Sequence, residues 1–356
     1  MARAHEGSTA ANWHGWRSAI KDATCEDNLP APAVLTAHNR NACRYDPVVR
    51  NMNHQIRAME TADIPQAVEL LAASSANDIR PVLRARLAAD ATQAPQLAIA
   101  AGHAGVVSGV AYIAEDPVFP GTVTTLVAVS PDARGNGVGS ALAAQVEDEL
   151  GRLTGATATC MIRDDLPHGK AFAERYGFTV AHHSLGFTYV FTDTDTEQLL
   201  AIRAADAAAR AGVQVRTADM ALDEDLITEC FTRCRIGLPL PFGNRPVDVR
   251  ERLREFPRNT VYLLAQSIEE DRCMGMSILI PEDRSWYVRF TGTDPDFRGR
   301  GVAVAVKRAS LLHAHQARTE SVITNNDDSN IAIIRANQTL GMVPHVGYWS
   351  FTRVLA

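Results

Sequence analysis

Cysteine is sparse: six residues (Cys25, Cys43, Cys160, Cys230, Cys234 and Cys273) lie scattered through 356, with no CxxC pair and no dense disulfide spacing. Reduced thiols are expected. Cys230 and Cys234, four apart on a predicted helix, share a face but lack the further ligands of a metal site, so no metal is expected. No run of about 20 apolar residues occurs, which excludes a spanning helix, and no apolar stretch of signal-peptide length opens the chain. A cytoplasmic protein, not a membrane one, is expected. Positive charge is not in excess either. The formal net charge of -6 offers duplex nucleic acid no basic field. Neither a Gly-Lys-Ser/Thr Walker ending nor a G-x-S-x-G elbow is present, so nucleotide hydrolysis and serine hydrolase chemistry lack their motifs.

What is present suits packed globular domains: 46% hydrophobic and 21% charged residues, in a chain long enough for two cores. Residues 1–53 show no sustained period of 2 or 3.6, and a poorly ordered extension is expected there. Met52 stands just before the first convincing strand, where an alternative start of translation is the hypothesis that the intact mass of the native protein tests.

From His54 the pattern becomes regular. Strand QIRAM leads into a helix opening at Asp63-Ile64-Pro65, and a second helix is expected around Val82–Ala89. Alternating strands QLAIAAG, VVSGVAYIAE and TVTTLVAVS follow, then a Gly-rich loop, a helix over 140–153, strand ATATCMIR, a short helix and a closing strand near SLGFTYVF. Residues 193–212 are Ala-rich and end in Gly, which predicts a helical linker. The second half repeats the order. Arg134 and Arg298 open the two Gly-rich loops 298 − 134 = 164 positions apart, so duplication with small insertions accounts for the length. The expected organisation is a domain at 54–192, the linker at 193–212 and a second domain at 213–356.

The two loops read Pro131-Asp132-Ala133-Arg134-Gly135-Asn136-Gly137-Val138-Gly139 and Pro295-Asp296-Phe297-Arg298-Gly299-Arg300-Gly301-Val302-Ala303. Each joins a strand to a helix, where small residues let backbone N–H groups point outward beside the positive end of the helix dipole. That arrangement suits a pyrophosphate. A dinucleotide fingerprint would need glycine at 140 and 304, which hold Ser140 and Val304.

At these residues the sequence resembles the GNAT superfamily of N-acetyltransferases, in which a strand is followed by R/Q-x-x-G-x-G/A and a helix. Arg134, Gly137 and Gly139 match in the first copy; Arg298, Gly301 and Ala303 match in the second. The resemblance covers roughly residues 55–355. It implies an α+β fold of two tandem GNAT-like domains, each a mostly antiparallel mixed central sheet flanked by helices. It further implies acetyl-CoA as donor, held by the loop residues Arg134, Gly135, Asn136, Gly137, Val138 and Gly139, and Arg298, Gly299, Arg300, Gly301, Val302 and Ala303. The strand ends Val127, Val129, Thr291 and Thr293 would offer backbone groups to the pantetheine. A further pattern, Thr324-x-Asn326, Asn330, Asn337 and Leu340-Gly341-Met342, with Lys307 on the preceding helix, resembles the ending of actinobacterial-type tandem GNAT proteins. It adds Asn330 to the cofactor residues; helix capping by Asn326 and Asn330 is the competing reading.

Direct transfer to an amine needs a neutral nucleophile, a polarised thioester carbonyl and a proton for the departing thiolate. Many relatives place a tyrosine four residues before the closing glycine of the last helix. Here that position is Ala173 in the first copy and Asn337 in the second, which leaves Asn337 as the candidate catalytic side chain. The general base is unassigned. Glu115, Asp116, Glu282 and Asp283 read as turn residues, Tyr176 as packing. His103, His182, His183, His313 and His315 lack partners at metal or triad spacing and are expected to be solvated or locally bonded. The expected activity is acetylation of a primary amine, of a small molecule by preference, with the second copy as catalyst. A non-catalytic acyl-CoA sensor and a protein lysine acetyltransferase are the alternatives.

Overall fold

The computed structural model describes residues 54–74, 83–84, 87–88, 95–115, 121–238, 248–254, 256–269, 272–282 and 284–356. The extension expected at 1–53, most of the helix expected at Val82–Ala89, and Asp116 and Asp283 lie outside them. The first repeat runs β1 (Gln55–Ala58), α1 (Ile64–Ala72), β2 (Leu97–His103), β3 (Val106–Glu115), β4 (Thr122–Val129), α2 (Val138–Leu150), β5 (Thr157–Arg163), α3 (Pro167–Arg175) and β6 (Thr179–Val190). α4 (Glu197–Ala211) follows. The second repeat runs β7 (Val213–Ala218), α5 (Glu224–Cys234), α6 (Val249–Arg254), β8 (Val261–Ser267), β9 (Cys273–Pro281), β10 (Ser285–Thr293), α7 (Val302–Gln316), β11 (Ser321–Asp327), α8 (Ile331–Leu340) and β12 (Val343–Val354).

Each repeat opens with the same clasp. Arg57 on β1 forks onto Asp63, just before α1, at 2.5 and 2.9 Å, and Asp63 also accepts the Glu60 N–H at 2.8 Å. In the second repeat Arg216 forks onto Asp223 at 2.8 and 3.0 Å, and Asp223 accepts the Asp219 N–H at 2.9 Å. The paired guanidinium holds the Asp223 carboxyl down at about 2. A planar fork on a carboxylate fixes angle as well as distance, so strand and helix leave each clasp in the same relative direction.

Within each repeat the sheet is antiparallel except at one place, where β4 pairs with β5 and β10 with β11 in parallel. α2 and α7 cover one face, with Val138, Leu142 and Val146, or Val302, Ala305 and Val306, packed into the strands. α1 and α5 cover the other, through Ala67, Val68 and Leu71, or Ile227, Cys230 and Phe231. α4 is capped as its sequence predicts, Thr196 accepting the Leu199 N–H at 3.2 Å and Gly212 closing it in the left-handed conformation. It lies against α7.

The boundary read at 193–212 does not divide the sheet. One 12-stranded sheet runs β1-β2-β3-β4-β5-β12-β6-β11-β10-β9-β8-β7, because the closing strands are exchanged. β12 of the second repeat pairs with β5 of the first along its whole length, Val354 opposite Thr157 to Tyr348 opposite Arg163. β6 of the first pairs with β11 of the second, Val190 opposite Ser321 to Ser184 opposite Asp327. β6 and β12 also pair with each other, with a register shift between His345 and Tyr348 where they cross. Both closing strands are longer than the sequence suggests, since polar His182-His183 and Pro344 conceal their first halves.

The crossing admits no side chain at two points. A Cβ on Gly186 would fall on the Val346 carbonyl, and one on Gly347 on the Ser184 carbonyl and the Asp164 carboxylate. Backbone cannot swing aside as a side-chain tip can. Gly347→Ala is therefore expected to lower stability by at least about 3 kcal/mol in urea titrations followed by circular dichroism, with both repeats lost in one transition. A loss below about 0.5 kcal/mol would contradict the tight crossing.

Candidate active site

The parallel ladders end early. Pairing of β4 with β5 stops after Thr124 and Thr159, leaving Thr125–Val129 and Cys160–Arg163 open toward each other. Pairing of β10 with β11 stops after Val288 and Thr324, leaving Arg289–Thr293 and Asn325–Asp327 open. The strand-end residues Val127, Val129, Thr291 and Thr293 all fall on these free segments. Unpaired backbone N–H and C=O groups at a strand edge are what an amide-bearing chain can use. The second cleft has an additional device. Against β9, β10 carries one extra residue at Arg289, a bulge that redirects the strand where its pairing with β11 ends. No register shift interrupts β4 against β3.

At the mouth of each cleft lies a Gly-rich loop. Gly135 and Gly137, and Gly299 and Gly301, have φ between 76° and 85°, a region costly for residues with a Cβ. Gly137 and Gly301 are the N-cap residues of α2 and α7, and neither helix start receives a side-chain cap. The first helical N–H groups are thus left for an anion, with open space where a Cβ would stand at Gly135, Gly299 and Gly301. Arg134 and Arg298 do not face outward with the loop. Each turns back to donate from Nε to its own strand end, Arg134 to the Val129 carbonyl at 3.1 Å and Arg298 to the Thr293 carbonyl at 3.3 Å. They brace the loop and strand together. Asn136 and Arg300 are exposed at the loop tips, and Val138 and Val302 are buried anchors.

The second loop is held more firmly. Asp294, 1% exposed, receives Arg233 at 2.9 and 3.0 Å and Arg272 at 3.1 Å, and caps the Asp296 N–H. Burial alone would raise its pKa, but these hydrogen bonds hold the carboxyl below the usual range. The first repeat has Ser130 at this point.

Beneath the clefts the repeats diverge. In the second, Ser310 on α7 donates to Ser277 on β9 at 3.1 Å, and Ser277 lies 3.3 Å from the Phe290 carbonyl beside the bulge. Thr324 donates to the Val288 carbonyl at 3.1 Å, and Asn337, fully buried on α8, donates to Asn326 at 2.7 Å. Asn330 caps α8 by accepting the Ile333 N–H at 3.3 Å, so the capping reading applies to Asn330 but not to Asn326. Lys307 is 2% exposed, and its Nζ has no hydrogen-bond partner among the described residues. Burial pushes its pKa down to about 7. At the 164-residue offset the first repeat has Ala143, Val146, Cys160, Ile162, Leu166 and Ala173 where the second has Lys307, Ser310, Thr324, Asn326, Asn330 and Asn337. At these six positions the second repeat carries hydroxyl, carboxamide and ammonium groups and the first carries none.

Several sequence expectations are corrected. Cys230 on α5 and Cys273 on β9 form a disulfide with Cα atoms 5.8 Å apart, so these two are not reduced thiols; linear spacing hid a pair brought together by helix-on-sheet packing. Cys160 and Cys234 are free and buried, and burial pushes both up to about 12, far from nucleophilic thiolates. Two histidines do have carboxylate partners. His182 Nδ1 lies 2.6 Å from Asp327, and the two ring nitrogens of His183 lie 3.3 Å from Asp164 and 3.4 Å from Asp328. Separations of about 19 and 145 positions conceal such pairs from spacing rules. Glu282 accepts the Ser285 hydroxyl at the far end of β10, a turn contact remote from the cleft. Tyr176 packs against Phe172, ring centroids 4.9 Å apart. Among the described residues no cluster of three or more His, Cys, Asp or Glu is disposed to hold a metal, and no helix is long and apolar enough to cross a membrane.

Lys307 gives a signed test. Its folded pKa, about 7, lies below that of a free lysine, so the unfolded chain binds more protons between about pH 7 and 10 and stability rises with pH across that window. Lys307→Met is expected to raise stability at pH 7 by about 1–3 kcal/mol and to flatten this slope, read from urea midpoints at pH 7, 8 and 9. An unchanged slope would contradict the assignment.

Comparison with known proteins agrees with this geometry. Residues 65–178, which contain the first loop, match the family model of the acetyltransferase (GNAT) family. Mycothiol acetyltransferase of Geodermatophilus obscurus is 26% identical over 314 residues, covering 84% of this chain and 96% of that protein. Two solved structures share the fold along most of both chains. A GCN5-related N-acetyltransferase from Sphaerobacter thermophilus superposes with a TM-score of 0.65 at 18% identity, covering 85% of this chain and 96% of that one. A tandem GNAT protein from the clavulanic acid biosynthesis pathway superposes with a TM-score of 0.61 at 19% identity, covering 85% and 99%. The first repeat thus matches the GNAT acetyltransferase family model, the second presents the same clefts and loops, and the fold along the chain is that of tandem GNAT structures.

Proposed function

We propose that this protein is a cytoplasmic enzyme that transfers the acetyl group of acetyl-CoA directly to a primary amine of a small molecule, and that the second repeat performs the transfer. In this reading 54–192 and 213–356 are the repeats, 193–212 joins them, and 1–53 is a separate extension. The observation that carries the assignment to the second repeat is the polar interior beneath its cleft, together with the bulge at Arg289. Transfer creates charge on the thioester oxygen and on sulfur, and fixed dipoles placed beforehand stabilise it far better than a hydrocarbon wall. The first repeat keeps the loop and the open strand ends but lacks polar side chains at the six positions equivalent to Lys307, Ser310, Thr324, Asn326, Asn330 and Asn337, a composition suited to holding a CoA-type ligand without turnover.

In the proposed site the loop amides of Arg298 to Ala303 hold the pyrophosphate, and the strand segment Thr291–Thr293 aligns the pantetheine. The amine nitrogen attacks the thioester carbonyl carbon, the C–N bond forms, the C–S bond breaks, and the thiolate takes up a proton. Asn337 contributes a buried hydrogen bond rather than a proton, because a carboxamide has none to give near neutral pH. The Ala173 and Asn337 positions, where many relatives have tyrosine, also favour a second reading, an acyl-CoA sensor without turnover. The G. obscurus relative, similar along almost its whole length and named an acetyltransferase, supports catalysis and an acetyl donor.

CoA release measured with a thiol reagent over a panel of small amines separates these readings. Gly301→Glu, which puts a carboxylate where the pyrophosphate would sit, is expected to lower turnover by at least about 100-fold, while Gly137→Glu leaves kcat within about threefold. Equal loss in both variants, or none in Gly301→Glu, would contradict the assignment to the second repeat. No CoA release by the unaltered protein with any amine, alongside tight acetyl-CoA binding, would favour the sensor.

A further inference from the structure

The strand exchange brings the two clefts to one line. β5 ends at Arg163 opposite Tyr348, β11 ends at Asp327 opposite Ser184, and Tyr348 and Ser184 are themselves paired, so Arg163, Tyr348, Ser184 and Asp327 form a single row across four strands. Asn326 faces α8, which it reaches through Asn337, and therefore the next residue, Asp327, faces the opposite side. In this repeat that is the side covered by α5. His182, two residues before Ser184 on β6, shares that face and meets Asp327 at 2.6 Å through Nδ1.

The pair is built for orientation. Asp327 Oδ2 takes the imidazole, while Oδ1 accepts the Ser329 N–H at 2.7 Å and the Ser329 hydroxyl. With Nδ1 turned to a carboxylate fixed at both oxygens, Nε2 is the ring nitrogen left to exchange a proton with a substrate. Nε2 makes no hydrogen bond to any described residue. The other charged groups on this row, Arg163 and Asp165 at the end of β5, are paired with each other at 2.6 and 2.9 Å. The pair also occurs once in a duplicated architecture. At the 164-residue offset, Asp327 corresponds to Arg163 and His182 to Val346, so the first cleft ends in a guanidinium and an aliphatic side chain.

We propose that His182 is the general base for the acceptor amine in the second cleft and that Asp327 is its positioning residue. The inference rests on the acetyl-transfer reading above and supplies the base which that reading lacks. An acceptor ammonium gives one proton to His182 Nε2, which passes it to solvent. The nitrogen lone pair then forms the C–N bond to the thioester carbonyl carbon, the C–S bond breaks, and the second proton leaving nitrogen ends on the CoA sulfur. A base contributed by β6 to a cleft made by β10 and β11 gives the strand exchange a role in catalysis: each turnover in the second repeat uses a residue of the first.

The test is steady-state kinetics of the full chain with acetyl-CoA and an amine that the unaltered protein acetylates, together with calorimetric binding of acetyl-CoA. His182→Gln keeps an N–H for Asp327 but has no basic nitrogen. It is expected to lower kcat by about 100-fold or more, with acetyl-CoA affinity unchanged and activity partly restored by added imidazole. Asp327→Asn should lower kcat with the same unchanged affinity. Near-normal kcat in His182→Gln would overturn the inference, because a residue needed only for its hydrogen bond to Asp327 would tolerate glutamine. Loss of acetyl-CoA binding in parallel with kcat would also overturn it, by marking a structural role. Absence of CoA release by the unaltered protein would instead remove the acetyl-transfer reading on which it depends.

Discussion

The crossing of β6 and β12 is the constraint on which the remainder of the structure depends. A repeat that kept its own last strand would cover β5 or β11 from within, and the two clefts would lie at separate sheets. Because each repeat lends its closing strand to the other, neither completes its sheet alone. The crossing is tight enough to require glycine at 186 and 347. It is also held by hydrogen bonds that repeat at the 164-residue offset: Asp164 N–H to the Gly347 carbonyl at 3.1 Å and Asp328 N–H to the His183 carbonyl at 3.0 Å. The ring of His183 then lies between these two equivalent aspartates, stacked on Trp349 with 3.6 Å between centroids. One imidazole serves both halves, and its own equivalent, Gly347, gives up its side chain to make room.

Around that near-symmetric centre the repeats have become chemically unequal. Both keep the features that the proposal assigns to a pyrophosphate: a left-handed glycine at the helix start, uncapped helical N–H groups and an arginine bracing loop to strand. The second adds the polar groups of Ser277, Ser310, Thr324, Asn326 and Asn337, a buried lysine without a hydrogen-bond partner among the described residues, a bulged strand and a loop anchored by two arginines. Each is expensive in a protein interior compared with a packed aliphatic side chain, and Lys307 most of all. Their concentration at equivalent positions of one repeat is difficult to attribute to packing, since the other repeat packs well without them. In the proposed reading, charge that develops during acetyl transfer gives these groups a purpose.

Much of this was legible in the sequence, for identifiable reasons. The loops declare themselves because positive φ requires glycine, and two copies of one spacing declare a duplication. β3 matches the expected strand VVSGVAYIAE residue for residue because alternation is local. The strand exchange was not legible: an alternating segment reveals which face is buried but not which neighbour it pairs with, and β6 would read the same beside β5 as beside β11. The Cys230–Cys273 disulfide and the His182–Asp327 pair were missed for the same reason, being contacts between elements remote in the chain. One signal was available. Aligning the repeats at their common offset exposes the polar and apolar columns directly, Lys307 over Ala143 and Asn337 over Ala173, before any coordinates are considered.

The central claim is that the cleft between β10 and β11 presents the acyl group for transfer and the cleft between β4 and β5 does not. A crystal structure with a non-hydrolysable acetyl-CoA analogue tests this most directly. The account predicts an ordered acyl carbonyl beside the bulge at Arg289, between segments 289–293 and 325–327 and open to His182. An acyl group ordered beside residues 125–129, with the second cleft empty, would contradict it.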